Sequence, residues 1–287
     1  MKEVDAAVIP VAGLGTRMLP MTKALPKELL PLPAKYRDNT VLIPILHLIF
    51  LKLYEAGIRK YILVISRNKE SIKNYFSIDY DYLTFLRSKG NRELETEILE
   101  EFYNLLEDID LITIYQEEPR GFGDAVFRAK NYIDGNFIIH PGDDYIIDIG
   151  DTNYILDLYR FWRKFNADIS FYVEEVEDPR HYGVITGYEI TDGIYHVSDL
   201  MEKPDIPPTN LAITAIYIAT KDLLDEMEMI DKEKRGWELI DAVKNLLMRN
   251  YKVIAIKIDN ELRIDVGRPV EYIKSIEKSG RYPIIIK

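Results

Sequence analysis

The sequence predicts an α/β fold: a mixed, mostly parallel sheet flanked by helices, with a small β-rich subregion and a helical insertion. Two observations carry this expectation. Short apolar runs bounded by turn residues alternate with stretches whose apolar residues recur at helical spacing, the pattern left by strands joined through crossover helices. A length of 287 residues with 47% hydrophobic content is also enough to bury a sizeable core. No internal repeat, low-complexity tract or Pro/Ser-rich linker divides the chain, so residues 1–287 read as a single domain.

The strands are expected at Ala6 to Val11, Tyr61 to Ile65, Leu111 to Tyr115, Phe137 to His140, Ile169 to Val173, Leu211 to Ala219 and Val253 to Ile258. Each is a short continuous apolar run and reads as core rather than edge. Val41 to Ala56 is apolar at helical spacing and ends at Gly57, whose missing side chain suits a helix C-cap. His47 falls inside this helix with no other potential ligand spaced to join it, so it reads as a core histidine. Asp81 to Asp108 sets Leu94, Ile98, Leu99, Phe102, Leu105 and Leu106 at helical spacing among Glu and Arg, which predicts an amphipathic helical insertion on the sheet. From about residue 180 to 212 the chain turns β-rich. Within it, Tyr182 to Met201 is broken by Gly187 and by Asp192-Gly193, which predicts hairpins forming a lid over the sheet.

A net charge of −11 argues against a general nucleic-acid or anionic-membrane surface. The absence of cysteine excludes disulfides, thiolate zinc sites and a Cys nucleophile. There is no apolar signal region before the first strand and no run of about 20 apolar residues. The expected location is cytoplasmic, with neither nucleic acid nor membrane as a partner.

The chemistry begins where the first strand empties into Ala12-Gly13-Leu14-Gly15-Thr16-Arg17 and then Pro26-Lys27-Glu28-Leu29-Leu30-Pro31. Two glycines let the backbone approach a ligand closely and turn its N–H groups toward one point, an arrangement suited to phosphate oxygens. Between Gly13 and Lys35 stand Arg17, Lys23, Lys27 and Lys35 against a single acid, Glu28. Positive charge concentrated in an acidic chain favours a polyphosphate ligand. The loop is not a P-loop, because no Gly-Lys-Ser/Thr follows, and it lacks the third glycine of a dinucleotide fingerprint.

The string Gly13 to Pro31 resembles the signature of the sugar-1-phosphate nucleotidylyltransferases, and Val8 to Leu32 is most similar to their bacterial-type UTP-glucose-1-phosphate uridylyltransferase branch. Four further strings resemble the same family in the same order. They are Gln116 to Val126, His140-Pro141-Gly142-Asp143-Asp144, Tyr182 to Ile185 with Met201-Glu202-Lys203-Pro204 and Asn210, and Ile264 to Pro269. The insertion Asp81 to Asp108 also resembles the uridylyltransferase branch rather than the shorter thymidylyltransferases.

The resemblance implies a Rossmann-like sheet and a set of roles. Ala12, Gly13, Gly15, Thr16, Glu28, Gln116 and Gly121 would bind the nucleotide, with Gln116 and Gly121 at the base. Arg17, Lys27 and Lys203 would be catalytic cations. Gly183, Glu202, Lys203 and Asn210 would bind the sugar phosphate, Glu202 at its hydroxyls and Lys203 at its phosphate. An adjacent Glu-Lys pair on extended chain points to opposite sides, and Pro204 supplies a reason for the chain to bend there. Asp143 and Asp265 would hold Mg²⁺, a hard cation that takes oxygen ligands, with Asp144 serving the turn or supporting Asp143. His140 departs from the family's usual aliphatic residue and is given no role.

The implied reaction is UTP plus α-glucose 1-phosphate giving UDP-glucose and pyrophosphate, with Mg²⁺, in a homodimer or homotetramer. A thymidylyltransferase, an enzyme using both UTP and dTTP, and a nucleotide-sugar sensor without turnover remain open. A Rossmann-type dehydrogenase fits poorly, since the second strand ends in Ser66-Arg67-Asn68 rather than an acid. The amide of Gln116 can rotate to suit uracil or cytosine, so this side chain alone leaves the base undecided.

Overall fold

The computed structural model of the protein describes residues 3–150, 152–230 and 238–286. Its first strand, β1 (Val4–Pro10), sends Ala7 and Ile9 into one core and Ala6 and Val8 into another. The strand, apolar from Ala6 to Pro10, is thereby buried on both faces. β2 (Pro31–Tyr36) and β3 (Asn39–Pro44) pair antiparallel, and α1 (Ile45–Glu55) follows. The helix expected from Val41 therefore starts at Ile45. Proline disfavours helical backbone at the residue before it, and Val41 to Pro44 instead pair with Ala34 to Pro31. Gly57 closes the helix at φ 94°.

Next come β4 (Lys60–Ile65), α2 (Glu70–Tyr75), α3 (Tyr80–Ser88), α4 (Glu93–Glu107), β5 (Asp110–Tyr115), α5 (Phe122–Phe127), β6 (Asn136–Ile139), β7 (Asp144–Ile146) and α6 (Tyr154–Lys164). The chain continues through β8 (Ile169–Glu175), β9 (Gly183–Thr191), β10 (Ile194–Glu202), β11 (Leu211–Ala219), α7 (Asp222–Met229) and α8 (Leu239–Met248). It finishes with β12 (Val253–Lys257), β13 (Arg263–Asp265), α9 (Pro269–Arg281) and β14 (Ile284–Ile286). No described helix is long and apolar enough to cross a membrane.

The main sheet runs β5-β4-β1-β6-β11-β8-β12-β10-β9. It is mixed: β5, β4, β1 and β6 are parallel, as are β8 and β12, while β9, β10 and β11 pair antiparallel. The apolar run of β11 predicted a strand but carries no record of its direction. Helices cover both faces, with α1, α4 and α6 over the core that holds Ile9 and α5, α7 and α8 over the one that holds Val8. β5 is an edge strand and only partly buried, contrary to its expected core position, because β4 is its sole neighbour in the sheet.

The insertion is a pair of helices, α3 and α4, seated on the helix layer. Phe102 packs against His47 and Phe50 of α1 and against Tyr75 and Phe76. The lid expected over Tyr182 to Met201 is instead one hairpin, β9–β10, that extends the main sheet to its far edge. Its turn is at Asp192-Gly193, where Gly193 adopts φ 70°. Gly187 is not a turn but a mid-strand close approach, where a Cβ would lie 1.9 Å from the carbonyl oxygen of His196.

His47 is a core histidine, its Nδ1 2.8 Å from the hydroxyl of Tyr75. Burial lowers its pKa to about 3. An unfolded histidine binds its proton near pH 6.5, so over the interval between these values the unfolded state holds the extra proton and stability falls with falling pH. Denaturant melts should show this acid loss from pH 6.5 downward, and His47→Gln should flatten it. An unchanged slope in the variant would assign the acid sensitivity elsewhere.

Candidate active site

β1 and β6 end side by side, and the loops that leave them form one wall of a cavity of about 400 Å³. Its lining includes Ala12, Gly13, Gly15, Thr16, Arg17, Lys27, Glu28, Gln116, Gly121 and Asp143. Ten of the residues expected at the nucleotide, catalytic and metal positions thus meet in one place. Open α/β sheets place their ligands at such strand ends. Gly15 takes φ 64°, and its carbonyl accepts from Thr22 Oγ1 at 2.8 Å and from the Met18 N–H at 2.9 Å, which fixes the turn. Of the four basic residues counted in this stretch, Arg17 and Lys27 line the cavity. Lys23 is exposed outside it, and Lys35 reaches Thr40 on β3.

Gly142 lets the Asp143 turn seat against the glycine loop, since a Cβ there would meet Val11 at 2.2 Å and Glu28 at 3.1 Å. Asp143 is bonded to the ammonium of Lys27. Burial alone would raise the Asp143 carboxyl and lower the Lys27 ammonium. Their mutual attraction overcomes both, holding the carboxyl below and the ammonium above their ordinary values.

β13 pairs with β7 so that Asp265 stands opposite Asp144, and the Val266 N–H donates to the Asp143 carbonyl at 3.1 Å. This brings Asp265 beside Asp143, although they are 122 residues apart in the chain. Asp265 does not cap α9; its Oδ1 accepts from the Gly267 N–H at 2.7 Å. Burial and the neighbouring Asp143 and Asp144 carboxylates push its pKa up. Two carboxylates in mutual repulsion, one with a raised pKa, are a donor set that a divalent cation relieves. Among the described residues no group of three or more His, Cys, Asp or Glu could enclose a metal by itself, so a cation here would complete its shell with oxygens from water or a ligand.

The sugar-side residues form a second group. Gly183 and Glu202 approach closely, and a Cβ on Gly183 would lie 3.1 Å from Glu202 Oε2 and 2.0 Å from Ile240. The chain bends after Glu202, but at Lys203 itself, which adopts φ 43°, before Pro204 is reached. Lys203 consequently folds back so that its Nζ sits 2.5 Å from Glu202 Oε1, and the two do not diverge as expected. The Tyr182 carbonyl accepts from the Lys203 N–H, and burial followed by the Glu174 charge raises the pKa of its hydroxyl. Asn210 is exposed at the start of β11, where its carbonyl accepts from Val176, and it does not line the cavity.

The nucleotidyl transferase family model matches residues 6–280. The chain belongs to this family. The UTP–glucose-1-phosphate uridylyltransferase of Bacillus subtilis strain 168 is 32% identical over 278 residues, covering 95% of this chain and 90% of that protein. A UTP-bound UGPase from Acinetobacter baumannii superposes with a TM-score of 0.81 at 27% identity, covering 96% of this chain and 93% of that one. A UDP-glucose pyrophosphorylase complexed with UDP-glucose gives 0.79 at 27% identity, with 97% and 98% covered.

Three charged residues of this nucleotidyl transferase went unassigned in the sequence. Arg263 donates to both oxygens of Asp144 and to Glu174, so Asp144 supports the site from beneath. Its one sequence signal is the spacing Arg263-Ile264-Asp265, which puts the guanidinium and the carboxylate on one face of β13. Lys69 donates to both oxygens of Glu28 at 2.7 Å, and both side chains are almost fully buried. Burial pushes the Glu28 carboxyl up and the Lys69 ammonium down, each opposed by its partner. Glu28 therefore braces the loop from inside while lining the cavity. Asp124, quoted within a motif but given no role, holds the amide of Gln116: Gln116 Nε2 donates to Asp124 Oδ2 at 2.7 Å and to the Gly121 carbonyl at 3.1 Å. The amide is thus not free to rotate, as the sequence alone allowed.

Removing one partner of a buried ion pair leaves the other charge stranded. Lys69→Met should lower the unfolding free energy by about 3–5 kcal/mol, read from urea melts. A loss below about 1 kcal/mol would show that Glu28 is hydrated or protonated without its partner.

Proposed function

We propose that the protein transfers a uridylyl group from UTP to α-glucose 1-phosphate, giving UDP-glucose and pyrophosphate. The observation that carries this reading is one cavity with an amide at one wall and a glycine loop, Arg17 and Lys27 at another, beside paired carboxylates. Such a cavity suits a nucleoside triphosphate. The family, the B. subtilis uridylyltransferase and the UTP-bound relative support uridine as its base.

An oxygen of the sugar phosphate forms the new bond to the α-phosphorus of UTP. The bond to pyrophosphate breaks on the opposite side, and pyrophosphate leaves with the electron pair. No general base is required, because a phosphate monoester with a second pKa of about 6 is already largely dianionic at neutral pH. The protein's task is positioning and charge neutralisation. Arg17 makes no ion pair among the described residues and lies near Gly267, free to take phosphate oxygens. Lys27 would exchange its contact with Asp143 for the triphosphate and the leaving pyrophosphate. Asp143 and Asp265 would hold Mg²⁺, which supplies further neutralisation at the α-phosphate when bound. Lys203 would take the phosphate of the sugar and Glu202 its hydroxyls, with Gly183 giving the ring room. A homodimer or homotetramer is supported by the family resemblance alone.

Pyrophosphate release measured with UTP, dTTP, CTP, ATP and GTP against glucose 1-phosphate tests the reading. UTP should give the highest kcat/KM. A value for dTTP equal to or above that for UTP would overturn the uridylyl assignment and leave nucleotidyl transfer standing. Lys203→Ala and Glu202→Ala should each raise the KM for glucose 1-phosphate more than that for UTP. The opposite split would place this pair away from the sugar phosphate.

A further inference from the structure

The hydrogen bonds of Gln116 point to a determinant of base choice beyond the residues that touch the ligand. Its Nε2 is shared between two partners, the Gly121 carbonyl and the Asp124 carboxylate. A carbonyl and an ionised carboxylate accept hydrogen bonds and cannot donate them. Turning the amide over would set Oε1 against both acceptors. The orientation is therefore dictated by chemistry, not only by the placement of atoms. Asp124 is itself held: its Oδ2 accepts from Arg128 Nε at 2.9 Å and its Oδ1 from Arg128 Nη2 at 3.4 Å, one turn further along the chain. Both Gln116 and Asp124 are buried. With Nε2 occupied, Oε1 is the part of the amide left for a ligand in the cavity that Gln116 lines.

We propose that Asp124 is a positioning residue for base selection: it locks Gln116 so that an acceptor faces the base, which favours a pyrimidine carrying N–H at position 3 over one with a lone pair there. Uracil and thymine carry that N–H, and cytosine presents an acceptor instead. This rests on the uridylyl-transfer reading for the identity of the base-binding end. It goes beyond that reading in assigning the choice to a residue that need not touch the nucleotide. A buried acceptor facing another acceptor costs about ten- to hundredfold in affinity.

The test is direct equilibrium binding of UTP and CTP to the wild-type protein and to Asp124→Asn, which is independent of turnover. An asparagine can offer an N–H₂ where aspartate offers only acceptor oxygens, so it removes the carboxylate's share of the lock and leaves the Gly121 carbonyl, 3.1 Å from Nε2, as the one obligatory acceptor beside the amide. The wild type should bind UTP at least about tenfold more tightly than CTP, and the variant should lose a measurable part of that ratio. General damage to the site would weaken both nucleotides alike and leave the ratio standing, and that outcome overturns the proposal. Should Asp124→Asn fail to fold, N3-methyl-UTP with the wild type decides. Binding about tenfold or more weaker than UTP supports an acceptor facing position 3, and equal binding overturns it. The two readings fail separately: a wild type that binds UTP with the stated selectivity but forms no UDP-glucose refutes uridylyl transfer and leaves Asp124 in its role.

Discussion

The constraint on which the site depends is a surplus of buried negative charge where a polyanion must bind. Asp143, Asp144, Glu174 and Asp265 converge at the junction of β7, β8 and β13, and Lys27 and Arg263 are the cations set among them. Arg263 is fully committed to Asp144 and Glu174, and these partners, with Asp265, hold its guanidinium firmly charged despite burial. Lys27 is committed to Asp143. Asp265 makes no ion pair among the described residues, and burial with the neighbouring Asp143 and Asp144 carboxylates raises its pKa. A triphosphate cannot approach such a cluster without added positive charge, because repulsion between close charges in a protein interior is far stronger than in water. In the proposed function, Arg17 and a divalent cation on Asp143 and Asp265 would meet that need together.

The rest of the fold delivers these groups to one point. The parallel quartet β5-β4-β1-β6 places the glycine loop, the Gln116 turn and the Asp143 turn at the same sheet edge. β13 returns from the far end of the chain to pair with β7, so that one short ladder sets the spacing of the two aspartates. Beneath the glycine loop the Glu28–Lys69 pair ties it to the segment after β4. Closer to solvent, the Lys203–Glu202 pair closes on itself at the end of β10. The contrast between the two pairs is one of burial. The first has nowhere to go and braces the loop. The second is more exposed, and in the proposed function it would open to a ligand with a sugar at one end and a phosphate at the other.

Much of this was legible in the sequence because its signals are local. The glycine loop, the Asp143 turn and the Asp265 turn each lie within a few residues, and it is their resemblance to the family's motifs in the same order that groups them. What was not legible lies in pairings between distant segments. Arg263 finds Asp144 across 119 positions and Lys69 finds Glu28 across 41, and neither residue type nor spacing marks such partners in advance. The same limit applies to strand direction in β11 and to the edge position of β5, since an apolar run has the same composition in either setting. At Val41 to Pro44 helical periodicity was outweighed by a proline and by pairing with β2. At Gln116 the sequence allowed two amide orientations, and tertiary contacts with Asp124 and Gly121 left one.

In the proposed function Asp265 and Asp143 would need a shared cation before a nucleotide binds well. UTP affinity measured by calorimetry with and without Mg²⁺, for the wild type and for Asp265→Asn, tests it without relying on turnover. Mg²⁺ should tighten UTP binding to the wild type by at least about tenfold, equivalent to 1.4 kcal/mol. The variant should bind UTP better than the wild type when Mg²⁺ is absent and should gain little from its addition. A variant that keeps the full Mg²⁺ enhancement would contradict this account.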